Sequence, residues 1–218
     1  MSTVVVVKKA GKVCIAADSL TSFGDLKLNS VYDAAHDKIL HFDENYLGIV
    51  GSAAHQLVLE SLLTGKKTAS KKNQDKNQDK RQDKRQDKTA DIDFSSRLCI
   101  FETFRALHPV LKDKYFLNAK DEDDDPYEST QIDALIANPF GIFGIHSLRE
   151  VTEYKKFWAI GSGAEYALGA MFALYDKTFS AEEIAHAGVA AGAEFNNASS
   201  MPLSSYETDL KQLQSVAK

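Results

Sequence analysis

Residues 1–18, MSTVVVVKKAGKVCIAAD, decide the reading of this chain. Four consecutive valines, Val4 to Val7, suit a strand buried on both faces, because β-branched side chains pack well on a pleated surface. Ala10-Gly11-Lys12 is a turn signal, and Val13 to Asp18 reads as the returning strand. The pair predicts a hairpin whose far end brings Asp18 back beside the start of the chain. Chain termini usually fray; this one is predicted to be held in a core sheet.

Working outward, strands are predicted at 38–42 (KILHF) and 46–52 (YLGIVGS), then a helix over 53–63 carrying Leu57, Leu59, Leu62 and Leu63. A second helix over 94–108 places Phe94, Leu98, Phe101, Phe104 and Leu107 largely on one face, with Pro109 expected to end or bend it. Strands follow at 131–138, 140–147 and 150–161. Gly-Ser-Gly at 161–163 then leads into a helix with Tyr166, Ala170, Met171 and Leu174 as its apolar stripe. Ser180 with Glu183 three residues on is a capping box for a last helix, and a short strand is expected near Ser204–Thr208. Strands, two helices, strands, two helices and a strand predict an α+β chain of two stacked antiparallel sheets between helical layers.

Two segments stand apart. Residues 73–88, NQDKNQDKRQDKRQDK, are four copies of a tetrapeptide without one apolar residue, so nothing there offsets the entropy of ordering it into a core. Asp and Lys recurring every four residues also suit a charge-laced helix, but a solvated loop is the simpler expectation. Residues 66–88 carry ten Lys/Arg and four Asp, yet interleaved aspartates make a poor phosphate-binding surface. Residues 121–125, DEDDD, are a run of carboxylates lacking the alternating ligands and central glycine of a calcium loop. The expected organisation is one domain over 1–218, with a low-complexity insert at about 66–93 and an acidic loop at about 118–130.

The chain has 218 residues, enough for one sizeable core, and its formal net charge of −5 gives no reason to expect nucleic-acid binding. No apolar run approaches a membrane span and no signal-peptide pattern opens the chain. Cys14 and Cys99 lie within apolar patterns and are expected as reduced thiols, so a cytoplasmic location without membrane contact is expected. The six histidines form no ligand pair, and neither a metal nor an organic cofactor is expected.

Chemistry can gather at the chain's start. Ser2 follows Met1, and a small second residue is the type whose methionine is normally removed. A serine at a new N-terminus carries its own base, because a free α-amine has a pKa of about 8. That amine can take the hydroxyl proton and later return it to a leaving group. A cation that lowers the hydroxyl pKa, and an anion that holds the cation, would complete such a site. Lys38 and Asp18 are placed to supply them if the strands pair as predicted.

The segments STVVVVKKAGKVCIAADS, DKILHF, LGIVGSAA and AIGSGAEYALGA together resemble the proteasome β-type peptidases, above all HslV and the bacterial proteasome homologues. The resemblance spans both ends of the chain and implies the N-terminal-nucleophile (Ntn) hydrolase fold, a four-layer α/β/β/α sandwich. It implies Ser2 as nucleophile, Asp18 and Lys38 as its charged supports, and the Gly51 N–H as oxyanion donor. Ser162 matches a serine that assists protonation of the terminal amine, and Glu194 falls near a supporting acidic position. The family nucleophile is most often threonine, whereas here serine holds the position and Thr3 comes second. The family's sixteen-residue step from nucleophile to aspartate fits Ser2 to Asp18, and a one-residue slip would turn the side chain to the other face of its strand.

The resemblance also implies an endopeptidase subunit acting on peptides or unfolded proteins, homo-oligomeric stacked rings, and an unfoldase ATPase as a partner by analogy. Two other readings stand beside it: a non-catalytic ring-forming scaffold of the same fold, and an amidohydrolase or transpeptidase using the same nucleophile.

Overall fold

The computed structural model describes residues 2–64, 92–119 and 127–211. The tetrapeptide repeat and the acidic run lie outside these residues.

The opening hairpin forms as predicted. Strand β1 (Val4–Lys9) pairs antiparallel with β2 (Lys12–Asp18), Val4 opposite Ala17 and Lys9 opposite Lys12. Ala10 and Gly11 both have positive φ, 51° and 79°, the backbone of a two-residue turn whose twist matches its strands. Beyond β2 lies a small hairpin that the sequence pattern did not announce, β3 (Thr21–Phe23) with β4 (Leu26–Leu28). Strands β5 (Ile39–Phe42) and β6 (Asn45–Val50) follow, then helices α1 (Ala53–Thr64) and α2 (Arg97–Tyr115).

Helix α2 corrects the expected end at Pro109 and one residue of the expected apolar face. It runs six residues past Pro109 to Tyr115. Pro109 sits on the exposed face, where the Arg105 carbonyl it leaves without an N–H donor can be hydrated. Its buried face is Ile100, Thr103, Phe104, Leu107 and Leu111, while Leu98 is exposed. Leu57 of α1 likewise faces outward, while Leu59 and Leu63 are buried and Leu62 packs beside them.

Strands β7 (Asp133–Asn138) and β8 (Gly141–Ile145) lie within the predicted segments. The expected single strand over 150–161 is two, β9 (Val151–Tyr154) and β10 (Phe157–Ile160), in different sheets. The exposed pair Lys155-Lys156 carries the chain across, and the Tyr154 and Trp158 rings stack over the crossing at 5.1 Å. Helices α3 (Ala164–Tyr175) and α4 (Ala181–Phe195) follow, the latter opened by the predicted capping box of Ser180 and Glu183. In α3 the packed stripe is Ala167 and Met171 with Leu168 and Leu174 beside them; Tyr166 points outward. Strand β11 (Leu203–Asp209) closes the order.

The strands form a four-stranded sheet, β10-β1-β2-β11, and a five-stranded sheet, β5-β6-β7-β8-β9, each antiparallel throughout. Alternation along β1 divides its valines. Val4 and Val6 join Val13, Ile15 and Ala17 against Leu135, Ala137 and Ile142 of the facing sheet. Val5 and Val7 join Cys14 and Ala16 against Met171, Ile184 and Val189 of α3 and α4. On the far side, Leu59, Leu63, Ile100 and Phe104 cover Leu47, Ile136 and Phe143. The layers are therefore α/β/β/α, the four-layer Ntn-hydrolase sandwich the resemblance implied. Both cysteines are free, and burial pushes the Cys14 thiol up to about 12. Leu135 is fully buried between the sheets, so Leu135→Ala is expected to lower unfolding stability by about 2–5 kcal/mol in urea titration.

Candidate active site

The hairpin brings Asp18, the last residue of β2, opposite Thr3, and the Asp18 N–H donates to the Thr3 carbonyl at 3.1 Å. The Asp18 carboxylate is buried and fully occupied. Its Oδ1 accepts the Thr3 N–H at 2.9 Å and the Lys38 ammonium at 2.8 Å; its Oδ2 accepts the Leu20 and Ser200 N–H groups, each at 3.1 Å. One carboxylate thus ties together the chain's start, the lysine and the loop before β11. A buried charge satisfied on all sides in this way is held in place, whereas a lone one would be expelled or neutralised.

Lys38 immediately precedes β5, and its side chain is 11% exposed. Burial pulls its pKa below the ordinary lysine value, and the Asp18 charge and hydrogen bond partly offset that pull. A lysine in this state gives up its proton more readily than a surface lysine.

Ser2 and Thr3 face opposite ways. Ser2, Lys38 and Gly51 line one cleft of about 310 Å³ with Leu20, Ile49 and Gln56. Gly51 follows β6 with φ at 104°, a conformation natural to glycine. Thr3 lies on the Val5 and Val7 side, fully buried, its Oγ1 2.7 Å from the Ser199 hydroxyl. The space for it exists because residue 192 is glycine: a Cβ there would come within 2.5 Å of the Thr3 hydroxyl. Gly161, with φ at 93°, similarly admits the Ser2 carbonyl, since a Cβ would sit 2.0 Å from that oxygen. The first residues are therefore gripped from both sides, by Asp18 and by the turn before α3.

Of the predicted residues, Ser2, Asp18, Lys38 and Gly51 come together. Ser162 sits in the turn beside them, but its hydroxyl donates to Asn196 Oδ1 at 2.9 Å, Asn196 Nδ2 returns a bond to the Ser162 carbonyl, and the residue does not line the cleft. Glu194 is exposed near the end of α4. The supports on that side are instead Asn196, Ser199 and Ser200, polar residues of the α4–β11 loop. Among the described residues, no group of three His, Cys, Asp or Glu side chains is placed to hold a metal ion, and no helix is long and apolar enough to cross a membrane.

This arrangement offers a serine, a lysine of lowered pKa and a glycine of positive φ lining one cleft, with a buried carboxylate anchoring the lysine. The chain is similar over nearly its whole length to a bacterial proteasome homologue, the BPH of Thiobacillus denitrificans, solved alone and in complex with epoxomicin. It is 36% identical to that protein over 96% of this chain and 99% of the other, with a TM-score of 0.77. The eukaryotic HslV of Trypanosoma brucei shares the fold at 17% identity and a TM-score of 0.60, over 95% of this chain and 99% of that one. No protein-family model matches the chain, and no curated protein matches it.

Proposed function

This chain belongs to the proteasome β-type, HslV-like family of Ntn peptidases, and from that premise we propose that it hydrolyses peptide bonds through an acyl-enzyme on Ser2. The observation that carries the proposal is the opposed facing of Ser2 and Thr3. Ser2 shares the cleft with Lys38 and Gly51, while the Thr3 hydroxyl is packed against Ser199 behind the sheet.

Removal of Met1 converts the Ser2 nitrogen from an amide, which is not basic, into an amine of pKa about 8. That amine takes the proton from Ser2 Oγ as the oxygen attacks the peptide carbonyl. The Lys38 ammonium stabilises the developing alkoxide, Asp18 holds Lys38, and the Gly51 N–H meets the charge forming on the carbonyl oxygen. The proton then passes from the amine to the leaving nitrogen, the C–N bond breaks, and an ester on Ser2 remains. Water, deprotonated by the same amine, cleaves that ester and restores the hydroxyl. Serine lacks the methyl group that restricts the rotamer of threonine; here Asp18 and Gly161 hold the backbone of the first residues. Homo-oligomeric rings enclosing this cleft, peptide or unfolded-protein substrates, and an unfoldase ATPase that feeds them belong to the same reading.

Epoxomicin, found in complex with the Thiobacillus relative, is the probe. The purified assembly is expected to lose turnover of fluorogenic peptides on treatment, with the adduct mass on the N-terminal peptide at Ser2. An adduct at Thr3 would move the nucleophile by one residue. Absence of both peptide turnover and adduct would leave the non-catalytic scaffold. Amide turnover confined to non-peptide substrates would favour the amidohydrolase.

A further inference from the structure

Lys38 is fixed at its tip by Asp18, but a four-carbon stem pinned only at its end still leaves the backbone free to shift. The neighbouring residue closes that freedom. Asp37 Oδ1 accepts the Ile39 N–H at 2.9 Å, Asp37 Oδ2 accepts the Tyr206 hydroxyl at 2.5 Å, and the Asp37 carbonyl accepts Gln56 Nε2 at 2.8 Å. The peptide units on both sides of Lys38 are thus held from three directions: their own turn, helix α1 and strand β11.

The Tyr206 bond has an architectural setting. β11 is an edge strand of the four-stranded sheet, and β5, which Lys38 precedes, is an edge strand of the five-stranded one. Tyr206 lies opposite Ile15 on β2 and packs at the inter-sheet core, from where its hydroxyl crosses to the other sheet. Its ring stacks on Tyr46 of β6 at 5.0 Å, and Tyr46 stacks on His41 of β5 at 4.6 Å. The Asp37 bond and burial push the Tyr206 phenol up to about 12, so it keeps its proton as a donor throughout the working range. The charge that offsets burial at Lys38 is that of Asp18. Asp37 therefore contributes placement.

We infer that Asp37 and Tyr206 are positioning residues that set the Lys38 ammonium in the cleft by lacing the open edge of one sheet to the other. The inference rests on the reading of Ser2 and Lys38 given above. Reacting groups must be held to a fraction of an ångström, and a misplacement near 1 Å costs about a hundredfold in rate.

Tyr206→Phe keeps the ring stack and removes only the hydroxyl. Per epoxomicin-titrated site, it is expected to lower kcat about tenfold with KM within twofold, at unchanged assembly mass. A merely structural role would lower the melting temperature and leave turnover per titrated site at the parent level; that result overturns the inference. Should Tyr206→Phe fail to assemble, Asp37→Asn and Asp37→Ala decide. An asparagine can still accept from Ile39 and bond the phenol, so Asp37→Asn should retain several-fold more turnover than Asp37→Ala, and equal turnover in the two overturns the inference. Ser2→Ala, run alongside, separates the two failures. If it loses turnover while Tyr206→Phe equals the parent, the positioning role alone is wrong; if it keeps turnover, the Ser2 reading is wrong.

Discussion

Ser2→Ala is expected to abolish peptide turnover, by on the order of 10⁵–10⁶-fold, and to leave the assembly folded. In the proposed mechanism this substitution removes the attacking oxygen itself, and knocking out a nucleophile costs about as much as removing the whole catalytic unit. Thr3→Ala makes the contrast informative. Thr3 is fully buried and contacts Ser199, so its loss removes a buried hydrogen bond, worth about 1 kcal/mol, and loosens the grip on the first residues. Turnover should therefore fall by no more than about tenfold, with a lower melting temperature. Steady-state kinetics on both variants, with thermal melts beside them, check the pair. Activity that survives Ser2→Ala and vanishes in Thr3→Ala would reverse the assignment.

The second large effect belongs to Lys38. Lys38→Ala removes the cation that the proposed mechanism sets against the attacking oxygen, and losses of about 10²–10³-fold in kcat accompany removal of a single such stabilising donor. It also leaves Asp18 with three N–H donors and no counter-charge, so a lower melting temperature accompanies the kinetic loss. The pH profile carries a sign that a packing defect would not reproduce. Burial lowers the Lys38 pKa and Asp18 raises it. The alkaline limb of kcat/KM, where Lys38 loses its proton, should therefore fall below the range of an ordinary lysine. Asp18→Asn removes the raising influence, so that limb should move further toward neutral pH. A limb that stays put, or moves to higher pH, would show that Lys38 is not the group titrating.

The fold was legible where side-chain chemistry and backbone demand coincide. The β-branched run, the Ala10-Gly11 turn and the return to Asp18 agree with one another, and that hairpin positions the site. Legibility failed where a strand is short or changes sheets. Thr21–Phe23 and Leu26–Leu28 are three residues each, too short for alternation to register. Tyr154 and Phe157 flank Lys155-Lys156 closely enough to read as one strand, and only the packing of two sheets shows that the chain passes from one to the other. At the site, Ser2, Asp18, Lys38 and Gly51 stand at recognisable places in short motifs. Asn196, Ser199 and Ser200 are ordinary polar loop residues, and their roles arise from contacts with residues more than 30 positions away. Asp37 and Tyr206 are separated by 169 positions, and no local pattern links them.

For Ser2 to act as its own base, its α-amine must be free. Intact-mass measurement of the purified, peptide-hydrolysing assembly tests that requirement most directly. The expected mass is that of a chain beginning at Ser2, lighter than the encoded sequence by one methionine residue. A fully active assembly in which every chain retains Met1 would contradict it.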